Sequence, residues 1–202
     1  LTEKEALDIF KMIGIQVVQS KEFLNQDLAL SISNEMSFPL VMKVLSNEIL
    51  HKTDVDGIRL NIQNQKDIKS AYTDLSKVYK NSNIKKENQK FLLQKMEFGL
   101  TEVILGYRVD ELVGPIVVLG SGGVLAEILD DKSVRIAPVA ISDAMEMIEE
   151  VKALSIINGY RGMPKGDIFS LAKAIVSISK LSFNKKIKEA EINPLIIKND
   201  GK

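Results

Sequence analysis

A lysine inside an apolar run, the only histidine of the chain, a glycine-rich loop and a glutamate two residues before an asparagine are where this 202-residue sequence can do chemistry. Lys43 lies among Val41, Met42, Val44 and Leu45, a run short and β-branched enough to be a strand. On the solvated face of such a strand it is an ordinary lysine. Buried, its ammonium needs an anion, and nucleotide phosphates suit a point charge of that kind. His51 follows in residues 46–56, beside Lys52, Thr53 and Asp54, before Gly57 releases the backbone into a second strand, Ile58–Ile62. A neutral imidazole is a good nucleophile near pH 7, so His51 is either a carrier of a phosphoryl group or a loop histidine with no task.

Residues 119–124, LGSGGV, place three glycines around Ser121. Gly120, Ser121, Gly122 and Gly123 can turn backbone N–H groups toward a phosphate or an incoming loop, or simply make a tight hairpin. No Lys-Ser/Thr pair follows, so this is not a Walker A loop. Glu191 and Asn193 lie two apart in a strand-like run and project to one face, where their oxygens suit a hard, octahedral ion such as Mg²⁺ shared with phosphates. Only four basic residues are arginines, Arg59, Arg108, Arg135 and Arg161, and each is either a planar fork at a site or an ordinary salt bridge.

Composition narrows the classes these residues can serve. Lys+Arg and Asp+Glu are both 27, so net charge gives no case for nucleic acid or an anionic membrane as partner. With no cysteine there is no disulfide framework, thiolate metal site or cysteine nucleophile. No leader-like start and no apolar run near membrane-span length occur, which makes the cytoplasm the expected compartment. At 45% hydrophobic residues the chain can build a core for one large domain or two small lobes.

The elements that must hold these residues read as an α/β rhythm at the start. Residues 2–12 form a helix with Thr2 and Glu5 at capping-box spacing, residues 15–18 a short strand, and residues 25–36 a helix capped by Asn25. Residues 64–79 form an amphipathic helix, and 80–90 a polar surface loop. Strands follow at 91–96, 101–109, 114–119, 124–129 and 133–137, joined by glycine-containing turns as in an antiparallel sheet. Helices at 142–151, capped by Ser142, and 168–181, capped by Asp167, precede the last strand at 188–198.

The string VMKVLSNEILHKTDVDGIRL, residues 41–60, resembles the signature of the nucleotide-binding half of the NDP-forming acyl-CoA synthetases. These are the ADP-forming acetate–CoA ligases and relatives of succinyl-CoA synthetase. The order is strand lysine, spacer, His-Lys-(Ser/Thr)-Asp, glycine turn, strand. Glu127, Arg135 and Pro138 after the glycine loop, the turn INGYRGMP at 157–164 and Glu-Ile-Asn-Pro-Leu at 191–195 resemble the same family.

That resemblance implies an α+β ATP-grasp fold in which two lobes clamp a nucleotide, about 20–90 forming the first lobe and about 91–202, with 1–19 packed on it, the second. It implies Gln94 and the backbone of Lys95 and Met96 at the adenine edge, and Glu102 on the ribose hydroxyls, though a strand-edge surface charge reads the same in sequence. It implies Lys43, Arg135 and the loop 120–123 around moving phosphoryl charge, and Mg²⁺ on Glu191 and Asn193. In the family an aspartate on the next strand also helps hold the metal, and the sequence stops at Lys202 before such a strand, a departure from the family pattern.

The implied reaction is reversible: acyl-CoA, phosphate and ADP give acid, CoA and ATP. The implied partner is a CoA-binding alpha-type subunit or domain carrying a phosphohistidine, so the expected assembly is a hetero-oligomer. His51 is then a second phosphoryl carrier or a positioning group. Two other readings suit parts of the sequence: an ATP-grasp carboxylate–amine ligase working through an acyl phosphate, and a nucleotide-binding regulatory module of an acyltransferase. The first leaves His51 without a task.

Overall fold

Polar caps followed by apolar stripes lay down α1 (Glu3–Met12), β1 (Ser20–Phe23), α2 (Gln26–Ser33), β2 (Leu40–Leu45), β3 (Ile58–Ile62), α3 (Gln65–Asn81) and β4 (Lys90–Lys95). The capping box forms at α1: Glu5 accepts from the Thr2 N–H at 2.7 Å, and Thr2 Oγ1 accepts from the Glu5 N–H at 3.3 Å. Asn25 and Asn64 cap α2 and α3 through their side-chain oxygens. The computed structural model describes residues 1–49, 52–82, 84–85, 88–123, 130–159 and 162–199. Its contacts divide into Leu1–Met12 with Gln16–Glu97, hereafter unit 1, and Ile13–Ile15 with Phe98–Lys202, unit 2.

In unit 1 the strands form one antiparallel sheet in the order β1-β4-β2-β3. Alternation sends Met42, Val44, Phe91 and Leu93 to the side where Ile68, Ala71 and Leu75 of α3 complete a core. Each fully buried Val, Leu, Ile, Phe or Met side chain there is worth about 1.5–3 kcal/mol. Phe91 stacks on Phe23 at 5.4 Å and meets Tyr79 edge-on at 5.2 Å. The Tyr79 hydroxyl accepts from the Leu45 N–H at 2.9 Å and donates to the Lys90 carbonyl. It thereby pins the end of the β2–β4 ladder, and losing it would leave two buried backbone groups unpaired, at about 1–3 kcal/mol each. Burial pushes the Tyr79 hydroxyl up to about 12, so it stays protonated in this role.

Unit 2 contains β5 (Thr101–Asp110), β6 (Gly114–Ser121), β7 (Lys132–Ile136), α4 (Ile141–Glu150), a 3-10 turn (Lys152–Asn158), α5 (Ile168–Ser179), a second 3-10 turn (Lys180–Phe183) and β8 (Glu189–Ile197). The sheet is antiparallel in the order β7-β6-β5-β8. α4 packs on β7, and α5 on β5 and β6. Leu171, Ala172, Ile175 and Ile178 of α5 are buried, and Asp167 caps it by accepting from the Ser170 N–H at 2.9 Å. No helix among the described residues is long and apolar enough to cross a membrane.

The chain departs from the sequence reading at β1, at the start of α4 and at the division between units. Residues 15–18 are not a strand: β1 is Ser20–Phe23, because its pairing partner β4 selects the register Ser20↔Gln94 over the more β-prone run before it. Helix α4 starts one residue earlier than predicted, with Ala140 as its cap and Asp143 accepting from the Ala140 N–H, so Ser142 is not the cap. The division between units falls at Glu97 and Phe98, and α1 belongs with unit 1, because β4 is hydrogen-bonded between β1 and β2. The predicted strand 124–129 lies outside the described residues.

Candidate functional site

Lys43 sits midway along β2, opposite Ile58 of β3 and Leu92 of β4. The pleat that turns Met42 and Val44 into the core turns Lys43 to the other face, which it shares with Gln94, a diagonal neighbour on β4 that is itself buried. α1 meets this face. Glu3, in its first turn, accepts from Lys43 Nζ at 2.7 Å through Oε1 and pairs with Lys52 Nζ at 3.0 Å through Oε2. All three side chains are about one-fifth exposed or less. Burial pushes the Glu3 carboxyl up, but the two ammoniums outweigh it and hold the group below the usual carboxylate range.

Lys52 reaches Glu3 because residues 52–57 close on themselves. The Gly57 N–H donates to the Lys52 carbonyl at 2.7 Å, and the Val44 N–H donates to the Gly57 carbonyl at 3.0 Å. A Cβ at Gly57 would stand 2.8 Å from Val44 Cγ2 and 2.9 Å from the Lys52 carbonyl oxygen, so only glycine allows this closeness. His51 lies outside the described residues. At the end of β4 the Lys95 N–H donates to the Gln19 carbonyl and the Met96 N–H to the Pro39 carbonyl, at 3.0 and 2.9 Å. Those two N–H groups are engaged within unit 1, so a base edge there would be met by acceptors and by Gln94 instead of by both donors.

On unit 2, Glu102 projects from the same face of β5 as Ile104 and Gly106, and Gly106 pairs with Glu191 of β8. Glu102 and Glu191 therefore share a sheet face, about 13 Å apart along the strand direction at 3.3 Å per residue. Between them β8 carries one extra residue relative to β5 at Asn193-Pro194, a bulge that suits a proline with no N–H to give the ladder. The Asn193 amide lies 3.3 Å from Glu191 Oε1, so this pair does share a face as its spacing predicts. It offers a carboxylate and an amide oxygen, a set that fits Mg²⁺ when phosphates supply further oxygens. Among the described residues no three His, Cys, Asp or Glu side chains cluster as a metal site.

The glycine loop packs against the same stretch of β5. The Ser121 N–H donates to the Asp131 carbonyl at 3.0 Å and the Gly122 N–H to the Glu102 carbonyl at 2.9 Å. A Cβ on Gly122 would lie 2.7 Å from the Glu102 backbone. Two of the four N–H groups expected for a phosphate, those of Ser121 and Gly122, are thus engaged by backbone carbonyls, and Gly122 serves close backbone approach instead. Gly120 pairs with Ile104 and belongs to the Glu102–Glu191 face.

Arg135 is not brought to that face. It pairs with Val117, whose side points to α4, and its guanidinium forks onto Glu150 at 2.5 and 3.0 Å while Glu150 also accepts from Ser133 Oγ at 2.6 Å. The alternation of β7 decides this: Val134, one residue earlier, takes the open face. Hydrogen bonds from Arg135 and then Ser133 hold the Glu150 carboxyl down at about 2. A depressed folded value contributes stability that is present above the ordinary carboxylate range and is lost as pH falls through about 2. Denaturant unfolding of Glu150→Gln is accordingly expected to vary less with pH between about 4.5 and 2 than that of the wild type, the difference shrinking with salt because the group is solvated.

Glu3 and Lys52 had not been singled out in sequence. Nothing local marks Glu3, which lies forty residues from Lys43 and meets it only through the packing of α1. Lys52 was visible as the neighbour of His51, without its partner. Arg161 and Glu127 lie outside the described residues.

The ATP-grasp domain family matches residues 1–202. The chain is 37% identical over 202 residues to the beta subunit of ADP-forming acetate–CoA ligase I of Pyrococcus furiosus, covering all of this chain and 87% of that one. It is 33% identical to the ADP-forming 4-hydroxybutyrate–CoA ligase of Nitrosopumilus maritimus, again over the whole chain but only 29% of that longer protein. Two solved structures of dinucleotide forming acetyl-coenzyme A synthetase 1 from Ca. Korarchaeum cryptofilum superpose on it at 32% identity. One, with coenzyme A and Ca-AMPCP, has a TM-score of 0.90 over 100% of this chain and 88% of that chain. The other, with coenzyme A and Mg-AMPPCP and its phosphohistidine segment pointing towards the nucleotide binding site, has a TM-score of 0.83 over 100% and 87%.

Proposed function

The chain belongs to the ATP-grasp family and, within it, to the beta subunits of ADP-forming acid–CoA ligases, and from that premise we propose that it passes a phosphoryl group between a partner's phosphohistidine and ADP. The observation that carries this reading is the match over the full 202 residues to a beta subunit that is itself little longer. The net reaction converts acyl-CoA, phosphate and ADP to acid, CoA and ATP, and runs in both directions. The thioester chemistry belongs to a CoA-binding partner with which this chain forms a hetero-oligomer.

Each described residue then has a role compatible with its geometry. Lys43 binds nucleotide phosphate as a point charge, Gln94 reads the base, and Glu102, an acceptor, takes ribose hydroxyls. Glu191 and Asn193 hold Mg²⁺, which when bound neutralises phosphate charge. His51 is the carrier. A ring nitrogen of His51 attacks the phosphorus of the partner's phosphohistidine, and the new N–P bond forms as the partner's breaks and frees its imidazole. An oxygen of the ADP β-phosphate then attacks that phosphorus, the P–O bond forms, the His51 N–P bond breaks and ATP leaves.

The pure chain is expected to bind Mg-ADP yet to make no acyl-CoA from acid, CoA and ATP, and to do so once the CoA-binding partner is added. A coupled assay of ADP release, with and without partner, checks this. Turnover by the chain alone, free of contaminating partner, would end the two-component reading.

A further inference from the structure

Three separate elements converge on the Glu3 carboxylate: α1 carries it, β2 brings Lys43, and the closed turn 52–57 brings Lys52. Each carboxylate oxygen takes one lysine, at 2.7 and 3.0 Å. Simple neutralisation of Lys43 would need only one of those contacts. With two ammoniums on one carboxylate the group keeps a net positive charge, and each ammonium, with three donors, has hydrogen-bonding capacity beyond Glu3.

We infer that Glu3 is the positioning residue of the phosphate subsite, gathering Lys43 and Lys52 into a two-ammonium pair that binds the phosphates of the nucleotide. The inference rests on the assignment of phosphate to Lys43 above and adds Lys52 as a second phosphate contact. Its physical basis is preorganisation. A free lysine stem loses rotamer entropy when it is fixed on a ligand, and two unpaired ammoniums this close would repel one another and swing apart. Glu3 holds both in advance. The turn adds rigidity, because Gly57 ties the Lys52 carbonyl to Val44, the residue beside Lys43. A strand lysine aimed at phosphates by a helix glutamate is also how protein kinases arrange theirs, so the device has a physical precedent on another fold.

The sign of one substitution decides the matter. Coulomb repulsion by itself makes removal of a carboxylate beside a phosphate site tighten anion binding; loss of positioning makes it weaken. Calorimetric titration of the full chain with Mg-ADP, and separately with adenosine, should be run for wild type, Glu3→Gln, Glu3→Asp, Lys52→Gln and Lys43→Met. Glu3→Gln and Lys52→Gln are each expected to weaken Mg-ADP about tenfold, the low end for a hydrogen bond to a charged group. Glu3→Asp is expected to lose less, and adenosine affinity to stay constant throughout. Equal or tighter Mg-ADP binding by Glu3→Gln overturns the inference. So does a parallel fall for both ligands, which marks a merely structural ion pair. If Lys43→Met binds Mg-ADP as wild type does, the phosphate assignment of Lys43 fails, and the role of Glu3 fails with it.

Discussion

Replacing His51 by alanine is expected to leave Mg-ADP affinity near wild type and to lower partner-dependent phosphoryl transfer by at least about three orders of magnitude, as removal of a nucleophile does elsewhere. The split follows from where the imidazole acts. As a nucleophile it contributes bonding in the transition state and little to ground-state nucleotide binding, so the loss falls on turnover and not on affinity. The neutral ring is the reactive form, because only an unprotonated ring nitrogen has the lone pair that attacks phosphorus. His51→Asn, which keeps a polar group but no nucleophilic ring nitrogen, is expected to be as inactive as His51→Ala. The direct measurement is protein-bound label after incubation with γ-labelled ATP, stable in base and labile in acid as a phosphoramidate is. Unlabelled wild type together with full activity in His51→Ala would return His51 to the status of a loop residue.

The second large effect is at Lys43. Lys43→Met keeps the apolar stem along β2 and removes the ammonium, and is expected to weaken Mg-ADP by about ten- to a hundred-fold, corresponding to about 1.5–3 kcal/mol for a hydrogen bond to a charged group. Lys43→Arg is not a conservative control, because a planar fork cannot occupy the position of a compact ammonium against Glu3. The folding cost of Lys43→Met is expected to be modest, since the half-buried Glu3 carboxylate retains Lys52 at 3.0 Å. Calorimetry on folded protein separates the two effects, and identical affinities for wild type and Lys43→Met would remove Lys43 from the nucleotide site.

Strand existence and strand faces were legible wherever the side-chain pattern was regular. The run around Lys43 and the Glu191–Asn193 pair on one face follow from a period of two, which is a property of the backbone alone, and the strand Ile58–Ile62 keeps its bounds although its register with β2 shifts. Caps were equally local: Thr2 with Glu5, Asn25 and Asp167 lie at their helix starts because a side-chain oxygen three residues from an orphan N–H is a short-range fact. The family motifs, also contiguous, pointed to Lys43, Gln94, Glu102 and Glu191, while the strand registers put Lys43 and Gln94 on one sheet face and Glu102 and Glu191 on another.

What the sequence could not carry was which of two equivalent local choices the rest of the chain selects. Strand pairing moved β1 from residues 15–18 to Ser20–Phe23, since a register with β4 outweighs β-branched propensity. Alternation alone did not say which face of β7 is covered. Only the packing of α4 showed that Arg135 is the covered residue, held by Glu150 as an ion pair of the fold. The N–H groups of Ser121, Gly122, Lys95 and Met96 looked available because a sequence lists donors without their acceptors, and the acceptors come from segments distant in the chain. Glu3 is the clearest case. A carboxylate in the first turn of a helix reads as an ordinary favourable charge there, and only the tertiary structure, by laying α1 over β2, makes it the shared partner of two lysines forty and forty-nine residues away.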